Sequence, residues 1–426
     1  MKNLVRGLLE KLGNKPVLIW GARMTGIGLA RLLRSHRVDF VGFVDSDPSL
    51  QGRTVSGKPV FSPIELPKIA AQNHHLSIFV AVSIKEQEIR AQLSEMALEN
   101  LPIIFYSDYC DSFYTVDIMG SCNLRCPSCP HGEIDRGYMF GRMDAANFEK
   151  VVDKIIHENE LVTHVSLYSW GEPFLHSSLP RFVDYLHERN IAVALSTNLS
   201  FDSKYLKDVI RRSPDYLKIS LSGFYPAAYN RTHTGGDIRL VKSNMYKIRY
   251  LMDKYRSNTY VDVNYHLYRD NNQSNLRRMQ ELCDELDFSL STTYSLIMPL
   301  ERCMNHVEGQ SDEQTKRLDE SLLVTVSEGI KATEDFESTE CPFRENQINV
   351  NWDLTVPVCC TVFDRKETQV AENFLTITKG DINKNKKKVS MCDKCQKLGL
   401  PAYNLGFNRK RWDEYASRKT SLDAGG

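Results

Sequence analysis

Three cysteines lie close together in the sequence CNLRCPSC. They are Cys122, Cys126 and Cys129, at a spacing of Cys-x3-Cys-x2-Cys. Three thiolates on one short loop can bind three irons of a 4Fe-4S cluster and leave the fourth iron open to another ligand. A structural zinc site needs four enclosing ligands and usually contains a Cys-x2-Cys pair, so this spacing fits zinc poorly. The loop therefore predicts an iron–sulfur centre with one exchangeable position.

A second group of cysteines lies near the C-terminus, at Cys341, Cys359, Cys360, Cys392 and Cys395. Cys341 and Cys359 are 18 residues apart, and the intervening QINVNWDLTVPV is expected to form a β-hairpin. Four thiolates can fully enclose a 4Fe-4S cluster. Successive residues of a strand face opposite ways, so only one member of the Cys359–Cys360 doublet can face a metal, and we expect Cys359. Structural zinc on the same four positions stays an open alternative, because Cys-x2-Cys is the unit that zinc favours.

Composition limits the classes of protein to which this chain can belong. It has 426 residues, 42% hydrophobic and 25% charged, as in a folded globular protein of several domains. Lys plus Arg and Asp plus Glu number 54 each, so no net charge favours nucleic acid or an anionic membrane. No apolar run is long enough for a membrane helix, and the N-terminus does not resemble an export signal. We expect a soluble, cytoplasmic protein whose cysteines serve metals or catalysis rather than disulfides.

Apolar runs alternate with helical patterns through the N-terminal part of the chain, which predicts a parallel sheet with crossover helices. The first run leads into GARMTGIG, and Asp45 ends the second run 24 residues after Gly21. This layout suits a nucleotide at a helix N-terminus with an acid on its ribose, and it makes Gly21, Gly26 and Asp45 candidate site residues. The central glycine of GxGxxG is missing, however, because Arg23 and Met24 occupy the turn. A module that binds another ligand, or that only packs, is equally compatible with the pattern.

A second series of alternating strands and helices begins at residue 115. Six strand patterns with intervening helices predict an incomplete (β/α) barrel, and the first cysteine loop directly follows its first strand. Asp144 is expected to cap the next helix, whose apolar stripe has helical spacing and belongs to the core. Residues 311 to 335 are expected to form a polar connecting helix that precedes the C-terminal cysteines.

The CNLRCPSC loop at the end of the first barrel strand resembles the hallmark of the radical S-adenosylmethionine superfamily. Further motifs between residues 115 and 300 fall where that family has them. SLYSWGEP resembles the family's GGEP-like motif at the end of the second strand, although Trp170 replaces the first glycine. STN and ISLSG end the third and fourth strands. The resemblance implies that six residues bind S-adenosylmethionine: Gly171, Glu172, Ser196, Asn198, Ser220 and Ser222.

The resemblance also implies a chemistry. The open iron would chelate S-adenosylmethionine, and an electron from an external donor such as flavodoxin or ferredoxin would cleave it to a 5'-deoxyadenosyl radical that abstracts a hydrogen atom. The barrel would hold that radical against one C–H bond and exclude water. If Glu172 is buried at the mouth of the barrel, its carboxylate needs a partner, and the methionine amino group would supply one. No catalytic residue is assigned beyond the cluster ligands.

The C-terminal cysteines resemble the SPASM or shorter twitch extension of such enzymes. This resemblance implies a second 4Fe-4S cluster, for which the four expected ligands are Cys341, Cys359, Cys392 and Cys395. The expected fold is α/β with three domains: a Rossmann-like parallel sheet over residues 1–110, a partial (β/α)6 TIM-type barrel over 111–310, and a connecting helix with a small α+β domain over 311–426.

The N-terminal domain points to the expected substrate. Its VDSDPSLQGRTVSGKPVFSPIEL resembles modules of surface-polysaccharide and nucleotide-sugar proteins. The expected function is therefore oxidation or epimerisation of a small molecule, namely a sugar, a nucleotide sugar or an aminocyclitol. Two alternatives stay open: radical modification of a peptide or protein, and a non-catalytic, metal-stabilised binding or regulatory protein.

Overall fold

The computed structural model describes residues 3–423 except residues 14, 74, 83, 97, 99, 100, 111, 134–140, 203 and 337–339. The strands are β1 (Val17–Trp20), β2 (Phe40–Val44), β3 (Thr54–Val55), β4 (Lys58–Phe61), β5 (Ser77–Val80), β6 (Ile103–Phe105), β7 (Phe113–Val116), β8 (His164–Ser166), β9 (Ala192–Thr197), β10 (Tyr216–Leu221), β11 (Tyr260–Leu267), β12 (Ser289–Tyr294), β13 (Gln347–Val350), β14 (Val356–Pro357) and β15 (Gln369–Ala371).

The α-helices are α1 (Asn3–Leu12), α2 (Met24–Ser35), α3 (Leu66–Gln72), α4 (Glu86–Ser94), α5 (Pro130–Glu133), α6 (Ala145–Glu158), α7 (Leu179–Glu188), α8 (Leu206–Arg211), α9 (Pro226–Thr232), α10 (Ile238–Tyr255), α11 (Ser274–Glu285), α12 (Leu300–Val307), α13 (Glu313–Ser321), α14 (Val326–Ala332), α15 (Pro342–Glu345), α16 (Arg365–Thr368), α17 (Lys379–Lys386), α18 (Ser390–Lys397), α19 (Leu400–Leu405) and α20 (Arg409–Asp423).

The N-terminal sheet has six strands in the order β3-β4-β2-β1-β5-β6. The pairs from β4 to β6 are parallel, as the alternating pattern predicts, and the residues of β1 and β5 are fully buried. The short strand β3 adds an antiparallel pair with β4, so the sheet is mixed rather than purely parallel.

The central sheet has seven strands in the order β12-β11-β10-β9-β8-β7-β13, and every pair is parallel. Six of these strands are the predicted barrel strands in chain order, which is the arrangement of a partial (β/α) barrel. Asp144 caps α6 by accepting a hydrogen bond from the backbone of Asn147, as expected. The predicted apolar stripe is buried, at Phe148, Val151, Val152 and Ile155.

The hairpin expected between Cys341 and Cys359 is wrong. Its first half, β13, instead joins β7 as a parallel edge strand of the barrel sheet, and its second half, β14, pairs with β15. Ile348 and Val350 are buried on one face of β13 while Asn349 is buried on the other. A strand covered on both faces fits a parallel sheet better than a half-exposed hairpin.

The single connecting helix expected over residues 311 to 335 is also corrected, because the chain forms two helices there, α13 and α14. Three apolar residues between them, Leu322, Leu323 and Val324, are buried. Thr325 then starts α14 with a capping box to Glu328. The buried apolar residues end α13, and the cap at Thr325 begins α14.

The N-terminal sheet packs against the end of the barrel at which its strands begin. Gly28 of α2 lies so close to Thr163 that a Cβ would stand 2.7 Å from the Thr163 carbonyl oxygen. Tyr106 and Thr163 share a hydrogen bond of 2.9 Å, and Arg31 forms an ion pair of 3.0 Å with Asp215. The cysteine loop lies at the opposite end, where the strands finish. Across the described part of the chain, no helix is long and apolar enough to cross a membrane.

Candidate active site

The loop after β7 carries the first three cysteines. The backbone N–H of Cys129 donates to the Cys126 carbonyl at 3.0 Å, which folds the second half of the loop into a turn. The Sγ atom of Cys122 accepts hydrogen bonds from the Leu124 backbone at 3.4 Å and from Asn198 Nδ2 at 3.5 Å. The structure therefore brings the loop against the end of β9, where Asn198 lies.

The buried position of this cysteine loop makes ionisation of its thiols unfavourable. Burial raises the pKa of Cys122 to about 11, with a further contribution from Glu172. The pKa of Cys126 is raised well above its ordinary value by burial and then by Cys129 and Cys122. Thiolates in this position repel one another and call for a cationic partner. An iron–sulfur cluster held by Cys122, Cys126 and Cys129 fits that requirement.

Gly171 stands where the chain leaves β8 and passes the cysteine loop. A Cβ at this position would lie 1.5 Å from the carbonyl oxygen of Met119, so only glycine allows the approach. The next residue, Glu172, donates its backbone N–H to the Ser121 carbonyl at 2.9 Å. The motif thus fixes the end of β8 directly against the loop that carries the cysteines.

Glu172 is 2% exposed, and protein donors satisfy its carboxylate. Oε1 accepts from Thr197 Oγ1 at 2.8 Å and from the Phe174 backbone at 3.1 Å, while Oε2 accepts from the Asn198 backbone at 2.8 Å. Burial raises the pKa of Glu172 to about 7. Neutral donors of the protein therefore hydrogen-bond this carboxylate, and its contact with the amino group of a ligand stays a prediction.

Asp117 is a second buried carboxylate, and sequence reasoning missed it. It is 5% exposed and accepts hydrogen bonds from the backbone of Met119, Trp170 and Gly171. Burial raises its pKa to about 7, and the cation Arg365 opposes that rise. The signal was present in YTVDIM, where one acid ends an apolar strand just before the cysteine loop. Asp117 and Glu172 together hold both sides of the turn that contains Gly171.

The serines predicted at the ends of β9 and β10 separate into two groups. Ser196 and Ser220 face each other with a hydrogen bond of 3.2 Å between their hydroxyl oxygens. Ser222 is fully buried and bonds to Nδ1 of His233 at 2.9 Å, so its hydroxyl is not available to a ligand. Asn198 reaches Cys122 and is itself held by the Ser200 backbone at 2.8 Å. Ser222 is thus engaged within the protein, and the ligand contacts of Ser196, Asn198, Ser220 and Ser222 stay predictions.

Trp170, the departure from the family motif, joins this turn to the C-terminal region. Its indole Nε1 donates to the Val362 carbonyl at 3.3 Å, and its ring meets Phe363 edge to face at 6.1 Å. Trp352 packs against the other side of the loop, where a Cβ on Gly120 would come within 2.1 Å of the indole. The replacement of glycine by Trp170 thus provides a contact between the turn and the segment that follows Cys359.

The C-terminal cysteines surround one cavity. The residues that line it include the four expected ligands, Cys341, Cys359, Cys392 and Cys395. Of the doublet, Cys359 lines the cavity. Burial raises the pKa of Cys341 to about 11, and Cys359 adds to that rise. Four mutually repelling thiols around one cavity fit a cationic metal centre. Within the described residues, no three His, Cys, Asp or Glu side chains converge as a site for a single metal ion.

The N-terminal residues predicted to bind a nucleotide are engaged within the protein. Asp45 accepts hydrogen bonds of 2.9 Å from the backbone of Ala22 and of Asp47, so its carboxylate holds the glycine loop. A Cβ on Gly26 would lie 1.8 Å from the Gly21 carbonyl oxygen, which makes this glycine a packing requirement. Arg23 points from the same turn toward the barrel and lies 3.5 Å from Asp262. The nucleotide site stays a prediction, and Arg23 at its turn is directed toward the barrel.

Polar side chains line the interior of the barrel, which we call the lumen. They occupy positions that alternate with buried apolar residues on the strands, and they are Tyr168, Ser196, Lys218, Ser220, Asn264, His266 and Thr293. Asn264 Nδ2 donates to Thr293 Oγ1 at 2.9 Å, and its Oδ1 lies 3.1 Å from His266 Nε2. Burial lowers the pKa of His266 to about 3. The lumen therefore offers hydroxyls, an amide, a neutral imidazole and one ammonium group.

Residues 116–282 match the sequence model of the Radical SAM superfamily. The match spans the barrel from the end of β7 into α11, and the superfamily that this model describes uses a 4Fe-4S cluster and S-adenosylmethionine. Among curated proteins, a "Probable GTP 3',8-cyclase" of Methanococcus maripaludis is 29% identical over 136 residues, which cover 32% of this chain and 44% of the relative. The chain thus spans less than half the length of that relative.

Two solved structures are similar to this chain. SuiB of Streptococcus suis, bound to precursor peptide SuiA, has a TM-score of 0.45 at 12% sequence identity. The alignment covers 70% of this chain and 68% of the SuiB chain. BtrN, in complex with AdoMet and 2-DOIA, has a TM-score of 0.38 at 16% identity and covers 68% of this chain and 88% of its own.

Proposed function

We propose that this chain is a radical S-adenosylmethionine enzyme that oxidises or epimerises a small polyhydroxylated substrate such as a sugar, a nucleotide sugar or an aminocyclitol. Cys122, Cys126 and Cys129 would hold one 4Fe-4S cluster, and the C-terminal cavity would hold a second. When bound, these groups would supply one-electron chemistry: reductive cleavage of S-adenosylmethionine to a 5'-deoxyadenosyl radical and acceptance of an electron from the substrate. An external donor such as flavodoxin or ferredoxin would provide the first electron.

The residues around the first cysteine loop position the cofactors. Glu172 ties the turn after β8 to the end of β9, and Asp117 ties the same turn to the end of β7. Because both carboxylates are buried and hydrogen-bonded, they fix three strand ends relative to one another. Gly171 lets the turn after β8 pack directly against the backbone carbonyl of Met119, just before the cysteine loop. Ser196 and Ser220 then present hydroxyls next to that turn.

The observation that carries the substrate class is the polar lumen between this site and the N-terminal sheet. Hydroxyl and amide groups at successive inward positions can bind the hydroxyls of a sugar or cyclitol ring, whereas an apolar side chain would leave them unpaired. The N-terminal sheet closes the far end of the barrel, because Met24 lies under Tyr168 with 3.3 Å between its Sδ and the tyrosine hydroxyl. A closed lumen would hold one C–H bond of the substrate in place and exclude water.

Anaerobic purification and reconstitution of the full chain test this function. We expect about eight irons and a similar amount of sulfide per chain, and we expect 5'-deoxyadenosine after reduction in the presence of S-adenosylmethionine. Cys283→Ala is a matched control, because Cys283 is buried outside both cysteine groups and should leave iron content unchanged. Stoichiometric zinc in place of iron, or iron without any 5'-deoxyadenosine, would contradict the proposal.

A further inference from the structure

Lys218 is the cation of the lumen. It lies in the middle of β10 between Leu217 and Ile219, which are fully buried on the helix-covered face of the sheet. Because successive side chains of a strand point to opposite faces, Lys218 projects into the barrel. Its ammonium nitrogen lies 4.9 Å from the centre of the ring of Tyr168, which follows β8, two strands away in the sheet.

The acid nearest to Lys218 along the sheet is bound by other groups. Asp262 of β11 is directly opposite Lys218 in the strand register, and it is 1% exposed. Its Oδ1 accepts from Ser291 Oγ at 2.7 Å, and its Oδ2 accepts from the Tyr216 hydroxyl. The same Oδ2 lies 3.5 Å from Nε of Arg23, which enters from the N-terminal sheet. A cation from outside the barrel thus balances the acid that could otherwise have paired with Lys218.

Among the residues that the structure describes, no carboxylate lies within 4.0 Å of the Lys218 ammonium. The adjacent His266 is neutral at physiological pH, because burial, His233 and Lys218 lower its pKa. A lysine that faces polar groups and has no paired acid can bind an anion. Ser196 of β9 is directly opposite Lys218 in the strand register, and Ser220 lies two positions further along β10 toward the cysteine loop, with its hydroxyl hydrogen-bonded to that of Ser196.

On the basis of the proposed function, we propose that the substrate carries a phosphate or carboxylate group that binds Lys218, and that Arg23 preserves this site by neutralising Asp262. The substrate is then an anionic sugar derivative, such as a sugar phosphate, a nucleotide sugar or a uronate. A cationic aminocyclitol is disfavoured, because its ammonium would face Lys218. Arg23 is a positioning residue, and the N-terminal sheet contributes charge to the lumen rather than a nucleotide site of its own.

Titration calorimetry on the full-chain protein tests the site with defined probes. The anionic probes are glucose 1-phosphate, UDP-glucose and glucuronate, while glucose and glucosamine are the neutral and cationic probes. We expect at least one anionic probe to bind more tightly than glucose. Lys218→Met should weaken its binding about tenfold to a hundredfold, and Lys218→Arg should keep most of it. Lys207→Met, on the exposed side of the neighbouring helix α8, should have no effect.

The role of Arg23 has a separate signature. Arg23→Gln should weaken binding of the same anionic probe, because Asp262 is then free to pair with Lys218. Adding Asp262→Asn to that variant should restore binding, since no charge is left to compete. If Arg23 only supported the fold, removal of the Asp262 charge would not rescue the variant. Thermal unfolding of each variant establishes that the folded protein is being compared.

The outcomes separate this proposal from the proposed function. No binding of any anionic probe, equal affinity for glucose and the anionic probes, or unchanged binding in Lys218→Met would each overturn the anion site. Loss of S-adenosylmethionine binding in Lys218→Met, with probe binding retained, would also overturn it, because the lysine would then serve the carboxylate of S-adenosylmethionine. In all these cases, formation of 5'-deoxyadenosine by the unmodified protein would leave the radical function standing.

Discussion

Glu172 accepts a hydrogen bond of 2.8 Å from the backbone of Asn198, and the side chain of Asn198 in turn lies 3.5 Å from Cys122. A single residue, Asn198, therefore links the buried carboxylate of Glu172 to Cys122, a predicted cluster ligand. This relationship makes Glu172 a positioning residue for the cysteine loop in addition to any contact it makes with a ligand.

Glu172→Gln should lower both the stability of the folded protein and the retention of iron at the first cluster site. The amide NH2 cannot accept the hydrogen bond that the Asn198 backbone gives to the carboxylate, so a buried donor loses its partner. We expect a loss of about 1 to 3 kcal/mol in the free energy of unfolding, together with reduced iron retention at the first site. Urea unfolding of the apoprotein and iron analysis after desalting measure the two effects. Full stability with full iron retention would contradict the positioning role.

Asp117 should give the apoprotein a specific pH dependence. Its pKa is raised in the folded state, so the folded protein binds more protons than the unfolded chain between about pH 4 and pH 7. Its contribution to stability is therefore full at the lower pH and is lost as pH rises through the folded pKa of about 7. Asp117→Asn removes this titration.

The measurement is the difference in unfolding free energy between the unmodified apoprotein and Asp117→Asn at several pH values. The unmodified protein should lose stability relative to the variant by a few kcal/mol between about pH 4 and pH 7. A difference that stays constant with pH would show that folding does not shift the pKa of Asp117, and a change in the opposite direction would show that folding lowers it; either result would contradict the prediction.

Gly120 and Trp352 should be energetically coupled. A Cβ on Gly120 would meet the indole of Trp352 at 2.1 Å, so Gly120→Ala forces one of the two to move. We expect Gly120→Ala to cost about 1 to 3 kcal/mol, and we expect much less of that cost in a Trp352→Leu background. A double-mutant cycle of unfolding free energies gives the coupling, and additive effects would contradict the contact.

Replacement of Cys359 and replacement of Cys360 should have different effects on the iron content of the protein. Cys359 lines the cavity with the three other expected ligands, so Cys359→Ala should lose about half the total iron. Cys360→Ala is the matched control and should keep it. Iron analysis of both variants, prepared anaerobically in parallel, decides the point. The reverse pattern would mean that the doublet presents its other face to the metal.

Strands β1, β2, β5 and β6 of the N-terminal sheet and the six barrel strands β7 to β12 could be predicted from the sequence, because buried parallel strands are apolar runs separated by helical patterns. The short strands β3 and β4 were not predicted. The cysteine groups were also visible, since their ligand spacing is local in the chain. The position of β13 could not be predicted, because an edge strand and a hairpin strand have the same local sequence pattern. Only the packing of the whole sheet determines which of the two forms. The contact of Arg23 could not be predicted for a similar reason: GARMTGIG indicates a tight turn, but only the fold shows that Arg23 points from it to Asp262. The proposed role of Lys218 depends on the strand register, which the sequence alone does not give. The register places Lys218 beside Asp262, an acid that already pairs with Arg23 from the N-terminal part of the chain.

The central claim is that the first cysteine loop generates the radical. The most direct measurement is 5'-deoxyadenosine formation by a variant in which Cys122, Cys126 and Cys129 are all replaced by Ala. We expect this variant to retain about four irons at the C-terminal site and to form no 5'-deoxyadenosine after reduction with S-adenosylmethionine present. Continued formation of 5'-deoxyadenosine by the triple variant would contradict the account.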